Sequence, residues 1–216
     1  MNKYHVIAII LLVSFAILAA LLSIKDSPIT AADNVTFVAV NNSHIPSLNG
    51  FMILLTQYGR EVFWIVTSII LFIFGGWLGK KTAVIIAISM LVLIPIGSLA
   101  KELVARERPI IPQSDSIFAS ESDSSFPSGH ATIVSTGAAV VLALFRNTAR
   151  KLAISIGIAI EALLVCISRV YVGGHYPTDV IGGILLGVGV SFVFVGFVFR
   201  IEKMLLPIAK VLKLRK

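Results

Sequence analysis

Long apolar runs separated by short polar breaks dominate the chain. Six of them approach spanning length, since about 20 residues rising 1.5 Å each cross a hydrocarbon core of about 30 Å. They run from Val6 to Ile24, Val62 to Gly79, Thr82 to Ala100, Gly129 to Phe145, Leu152 to Ile167 and Val180 to Phe199. Inside a bilayer the backbone must satisfy its own hydrogen bonds, so each run predicts a helix. The expectation is an all-α bundle of six transmembrane helices. The fourth and fifth runs are the shortest, and each adjoins a charged string. The first run follows Lys3, and its 19 residues exceed the roughly 15 of a signal-peptide core, which predicts an uncleaved anchor. No internal repeat is present, and residues 1–216 read as a single domain.

Composition excludes a soluble domain of this length, with 57% hydrophobic and only 13% charged residues. The net charge of +7 does not indicate nucleic acid, because the basic residues sit between and after apolar runs and form no soluble basic face. Their distribution gives an orientation. With cytoplasmic termini, the inner side holds Lys3, Lys80, Lys81, Arg146, Arg150, Lys151, Arg200, Lys203, Lys210, Lys213, Arg215 and Lys216, twelve of eighteen basic residues. Trp64 and Trp77, near opposite ends of the second run, fit two aromatic belts. Cys166 has no partner, so it reads as a buried small side chain and supplies neither disulfide nor metal site.

Three strings then fall on the outer face: Lys101 to Pro109, Pro127 to His130, and Ser168 to Asp179. Distant strings can build one site only if they emerge together, and with six helices they do. Ile110 to Phe126, rich in Ser and Asp, reads as a polar loop over that site. The outer loop after the first run carries two glycosylation sequons, at Asn34 and Asn41.

The residue types suit phosphoryl transfer, whose transition state spreads charge over three equatorial oxygens and needs fixed cations and N–H donors around them. Lys101, Arg108 and Arg169 supply the charge. Ser128 is a favoured helix cap, and Ser128 and Gly129 place free N–H groups and a positive dipole end where phosphate binds readily. His175 precedes Asp179 by four residues, so the carboxylate can take the Nδ1 proton and leave Nε2 free to attack phosphorus. His130 is the candidate general acid. Arg106 and Lys25 read as snorkelling side chains, His5 and His44 as surface or satisfied core residues, and Gly183 and Gly187 as helix packing. Glu161 lies seven residues before Ser168, about 10 Å along one helix face, which predicts a structural carboxyl looking inward beneath the site.

The combined pattern KX6RP, PSGH and SRX5HX3D resembles the type 2 phosphatidic acid phosphatase superfamily. All its specified residues are present as Lys101, Arg108, Pro109, Pro127, Ser128, Gly129, His130, Ser168, Arg169, His175 and Asp179. The resemblance implies a metal-independent membrane phosphatase without cofactor, with His175 phosphorylated, an active site at the outer membrane–water interface and a membrane lipid phosphate as substrate. A short chain without appended domains is similar to the prokaryotic branch, where polyprenyl (undecaprenyl or dolichyl) pyrophosphate is a common substrate. Phosphatidate or phosphatidylglycerol phosphate hydrolysis, lipid phosphotransfer, and a non-catalytic transporter or scaffold are the alternatives.

Overall fold

The computed structural model describes residues 2–24, 27–111, 117 and 121–211, with side chains to 207. Lys25, the side chain of Lys210, and Lys213, Arg215 and Lys216 lie outside the described residues, as does part of the expected polar loop. Among the described residues every regular element is a helix: α1 (Lys3–Leu22), α2 (Pro28–Asn41), α3 (Pro46–Tyr58), α4 (Glu61–Phe74), α5 (Gly76–Val104), α6 (Gly129–Leu144), α7 (Ala149–Tyr171), α8 (Pro177–Gly196) and α9 (Val198–Val211).

Four of these, α1, α5, α7 and α8, are long and apolar enough to cross a membrane. A fifth span results if α3 and α4, bent by 60° at their junction, count as one. Helix α6 is apolar but only 16 residues long, about 24 Å at 1.5 Å per residue. The second expected run, Val62 to Gly79, is divided. It ends with α4 at Phe74, and Gly76 adopts φ +61, a left-handed conformation that costs glycine little. Lys80 and Lys81, expected in a loop, lie inside α5, where Lys81 pairs with Glu202 at 3.0 Å. The outer loop is instead the helices α2 and α3, each opened by a proline in its first turn. Asn41 is tied down there, its Nδ2 donating to the carbonyl oxygens of Phe37 and Val170.

Helix α6 is the best-buried helix of the bundle, and α8 lies along it. Gly183 and Gly187 permit this contact, since a Cβ at Gly183 would meet the Ser128 carbonyl oxygen at 2.6 Å and one at Gly187 the Thr132 carbonyl oxygen at 2.4 Å. Small residues let two helix backbones approach where lipid supplies no hydrophobic drive. Trp64 does not sit in an aromatic belt. It is 2% exposed and its ring lies against Gly137 of α6, filling the space a side chain there would need. Burying a large ring stabilises more than parking it at an interface, and that outweighs the belt preference. Trp77 donates to Glu202 at 2.7 Å. Cys166 is buried.

Candidate active site

The beginnings of α6 and α8 are joined, because the Ser128 N–H donates to the Asp179 carbonyl oxygen at 3.0 Å. Ser128 caps α6, its hydroxyl accepting from the Ala131 N–H at 3.4 Å. Gly129 follows, and a Cβ placed on it would lie 3.8 Å from an amino group of Arg60. His130 is buried. Its Nε2 faces the Thr56 carbonyl oxygen at 3.1 Å and its Nδ1 faces Arg60 Nη1 at 3.4 Å. A carbonyl only accepts and a guanidinium only donates, so this pairing fixes a neutral ring with its proton on Nε2 and a lone pair on Nδ1.

On the other side, His175 points Nδ1 at the Asp179 carboxylate, 3.6 Å away, somewhat beyond hydrogen-bond length. Its Nε2 faces Arg108 Nη1 at 3.3 Å. Both side chains are fully buried. Burial pushes the His175 pKa down to about 4; Asp179 opposes that shift, while Arg169 and Arg108 reinforce it. The ring is neutral at physiological pH.

Asp179 is itself held from behind. Arg106 Nη1 donates to Asp179 Oδ1 at 2.6 Å and to Thr178 Oγ1 at 2.8 Å, while Nη2 donates to Asp33 at 2.7 Å. Asp33 also accepts from the Thr178 hydroxyl and from the Thr178 N–H at 3.0 Å. The guanidinium of Arg106 lies over the Tyr176 ring, 4.2 Å from its centre. Arg106 therefore does not snorkel. Two buried carboxylates, one from α2 and one from α8, hold it inside, and their attraction in a low-dielectric setting exceeds what headgroup water would offer.

The three motif cations converge on two carboxylates of the Glu121–Asp123 segment. Lys101 Nζ contacts Asp123 Oδ2 at 2.5 Å and the Ser124 carbonyl oxygen at 2.9 Å. Arg108 reaches Asp123 at 2.5 Å and Glu121 at 2.7 Å through Nη2. Arg169, fully buried, contacts Glu121 at 2.7 Å. Despite partial burial, which opposes it, the Lys101 and Arg108 contacts hold Asp123 at about 2. Burial likewise opposes ionisation of Glu121, but Arg169 and Arg108 keep its pKa below the ordinary value. Two anions thus occupy the cluster of cations.

All eight sequence-predicted site residues, Lys101, Arg108, Ser128, Gly129, His130, Arg169, His175 and Asp179, gather at this end of the bundle. Lys101 closes α5, whose last turn hands over to Ala105 in the left-handed region at φ 46. Arg169 lies in the last turn of α7, and its carbonyl oxygen accepts from the N–H groups of Gly174 and His175, wrapping the loop that aims His175. Sequence reasoning missed Asp33, Arg60, Arg106, Glu121 and Asp123. One signal was available for Asp33, an acid within an otherwise apolar and neutral segment. Glu161 turns inward as expected: its carboxylate oxygens are buried without a hydrogen-bond partner among the described residues, and Oε1 lies 2.9 Å from where a Gly59 Cβ would be.

Residues 81–203 match the PAP2 superfamily, which takes in all three motifs. The chain belongs to the PAP2 superfamily. It is 38% identical to an undecaprenyl-diphosphatase of Sulfolobus acidocaldarius over 95% of this chain and 99% of that protein. A second relative, the undecaprenyl-diphosphatase BcrC of Bacillus subtilis, is 29% identical over 76% of this chain and 80% of its own length. The crystal structure of a transmembrane PAP2-type phosphatidylglycerolphosphate phosphatase from Bacillus subtilis superposes with a TM-score of 0.68 at 29% identity, covering 90% of this chain and 96% of that one. Membership of this family makes the chain a membrane-embedded phosphatase.

Proposed function

We propose that the protein hydrolyses a polyprenyl diphosphate on the outer face of the membrane, through a phosphohistidine on His175. The observation that carries this reading is the aim of His175: Nε2 lies against Arg108 in the cation cluster while Nδ1 faces Asp179. A buried neutral imidazole with that tautomer is a nucleophile waiting for phosphorus.

The incoming terminal phosphate takes the place of Glu121 and Asp123 on Lys101, Arg108 and Arg169, and receives further N–H donors from the start of α6. His175 Nε2 attacks the phosphorus. As the N–P bond forms, the P–O bond to the bridging oxygen breaks, and its electrons leave with the lipid monophosphate. Asp179, anchored by Arg106, accepts the Nδ1 proton in a hydrogen bond and stabilises the positive charge on the ring. The lipid phosphate departs as an anion; His130, neutral with its lone pair on Nδ1, is therefore not the general acid expected from the sequence but the base toward the water that cleaves the N–P bond, releasing inorganic phosphate. The cations and the helix start supply the charge stabilisation, so no metal is required. An orientation with cytoplasmic termini and an outward site follows from the basic residues; six spans in one domain result when α3 with α4 counts as one and α6 completes the set.

Purified protein assayed for phosphate release with EDTA present is expected to cleave prenyl diphosphates in preference to soluble sugar phosphates. His175→Ala should lose all turnover and His130→Ala most of it. Activity of His175→Ala within about tenfold of the parent, against the 10² to 10⁴ typical of losing even a general acid or base, would remove His175 from the central role. Cysteines placed near Ser122 in a Cys166→Ser background should react with an impermeant thiol reagent outside intact cells and those near Thr148 should not; the reverse pattern would invert the orientation.

A further inference from the structure

The α3–α4 junction is bent by 60°, and its apex is Gly59 and Arg60. Gly59 is pressed against α7, because a Cβ there would come within 2.4 Å of Val165 and 2.9 Å of Glu161. That contact turns the next residue toward the start of α6. Arg60 belongs to none of the three motifs, yet its Nη1 lies 3.4 Å from His130 Nδ1 and close to Gly129. Its Nη2 pairs with Glu61, its Nε is buried without a protein partner among the described residues, and 30% of its side chain remains open to approach.

We propose that Arg60 forms the subsite for the second phosphate of a diphosphate ester, the one that departs still attached to the lipid. The proposal rests on the lipid phosphohydrolase reading above and adds what selects the diphosphate. Lys101, Arg108 and Arg169 surround His175, where the transferred phosphoryl group must sit. Arg60 contacts the other histidine, His130, on the side of the leaving oxygen, and is close enough to Arg169 for the two guanidiniums to repel. Attack by His175 Nε2 pushes the bond electrons onto the bridging oxygen. In a phosphate monoester that oxygen becomes an alkoxide and needs a full proton from His130. In a diphosphate it becomes an oxygen of a phosphate monoester, a group whose second ionisation lies near 6, so it can leave as an anion if positive charge meets it. A guanidinium, planar and permanently charged, is suited to that task. The His130 tautomer fits the same leaving group: the ring carries its proton on Nε2, bonded to Thr56, and offers a lone pair at Nδ1. Such a ring has no proton to give an alkoxide there but is ready to take one from water in the second step.

The test compares farnesyl diphosphate with farnesyl phosphate, which share one tail, in detergent micelles with EDTA. In Arg60→Ala, kcat/KM for the diphosphate should fall at least tenfold further than kcat/KM for the monophosphate, and Arg60→Lys should restore most of the preference. The ratio is read from whatever folded fraction remains, so partial instability does not obscure it; Arg60→Gln, which keeps a donor for His130 without the charge, should behave like Arg60→Ala. Equal losses on both substrates, or none on either, would overturn the subsite and leave the proposed function standing. A parent protein that releases phosphate from farnesyl phosphate but not from the diphosphate would overturn the diphosphate reading itself.

Discussion

Replacing Arg106 by Leu tests the best-buried charge network of the site. The side chain is 8% exposed and its partners Asp33 and Asp179 are 1% and 0% exposed. Arg106→Leu removes two charge-assisted bonds of 2.7 and 2.6 Å and leaves two carboxylates facing each other without a cation. Breaking a buried pair in this way costs about 3–5 kcal/mol. At about 2–4 °C per kcal/mol for a chain of this size, thermal unfolding in detergent should fall by roughly 6–20 °C. Turnover should fall as well, because Asp179 without its anchor no longer holds the His175 tautomer. Asp33→Asn alone should cost only about 1 kcal/mol, since Arg106 keeps Asp179 and the amide oxygen still accepts a hydrogen bond. Combining the two changes should cost less than their sum, as the second carboxylate charge is then gone. A snorkelling arginine would behave differently. If Arg106→Leu loses under about 1 kcal/mol, keeps full kcat and adds to Asp33→Asn without coupling, the network does not do what its geometry implies.

Three further outcomes follow. Glu121→Gln with Asp123→Asn should tighten inhibition by vanadate or inorganic phosphate by about tenfold, the equivalent of about 1.4 kcal/mol, because the anion no longer has to displace two carboxylates; unchanged or weaker inhibition would show that they orient the cations rather than occupy their place. The His175 imidazole 15N signals should stay those of a neutral ring down to about pH 5 and titrate near 4; because the folded state then binds fewer protons than the unfolded one between about 6.5 and 4, stability should fall as pH drops through that window, and a transition at 6.5 would contradict the burial. Gly137→Ala puts a Cβ 2.0 Å from the Trp64 ring, so unfolding should shift by the 1–3 kcal/mol typical of overpacking, with partial recovery when Trp64→Phe is added.

The motif residues could be read from the sequence because their chemistry is local: a histidine four residues before an aspartate, a serine before a glycine at a helix start, and cations stranded on an otherwise sparsely basic side. Helical identity was legible for the same reason, since apolar runs betray themselves by length. The errors have one source. Arg106 and Trp64 were assigned by rules for isolated side chains near a membrane surface, whereas Asp33, some seventy positions upstream, and Gly137 of α6 decide where they go. Helices α2 and α3 went unseen because they are short and only moderately apolar, and Arg60 because its importance comes from a bend that nothing in the local pattern announces.

Ala105 carries a consequence for how such a sequence drifts over evolutionary time. A non-glycine residue in the left-handed region costs about 1–2 kcal/mol, and it sits between Lys101 and Arg108, on the strip that delivers Arg106 and Arg108 to the site. Glycine would remove that cost but, unfolded, would surrender up to about 1 kcal/mol of extra chain entropy. The first effect is at least as large as the second, so replacing the alanine by glycine costs no stability and is not opposed by selection on stability. It is visible to selection on rate, because alanine restricts the strip to a narrow set of conformations and glycine frees it. Lineages that drift to glycine here should remain folded while becoming slower and more permissive toward their substrates.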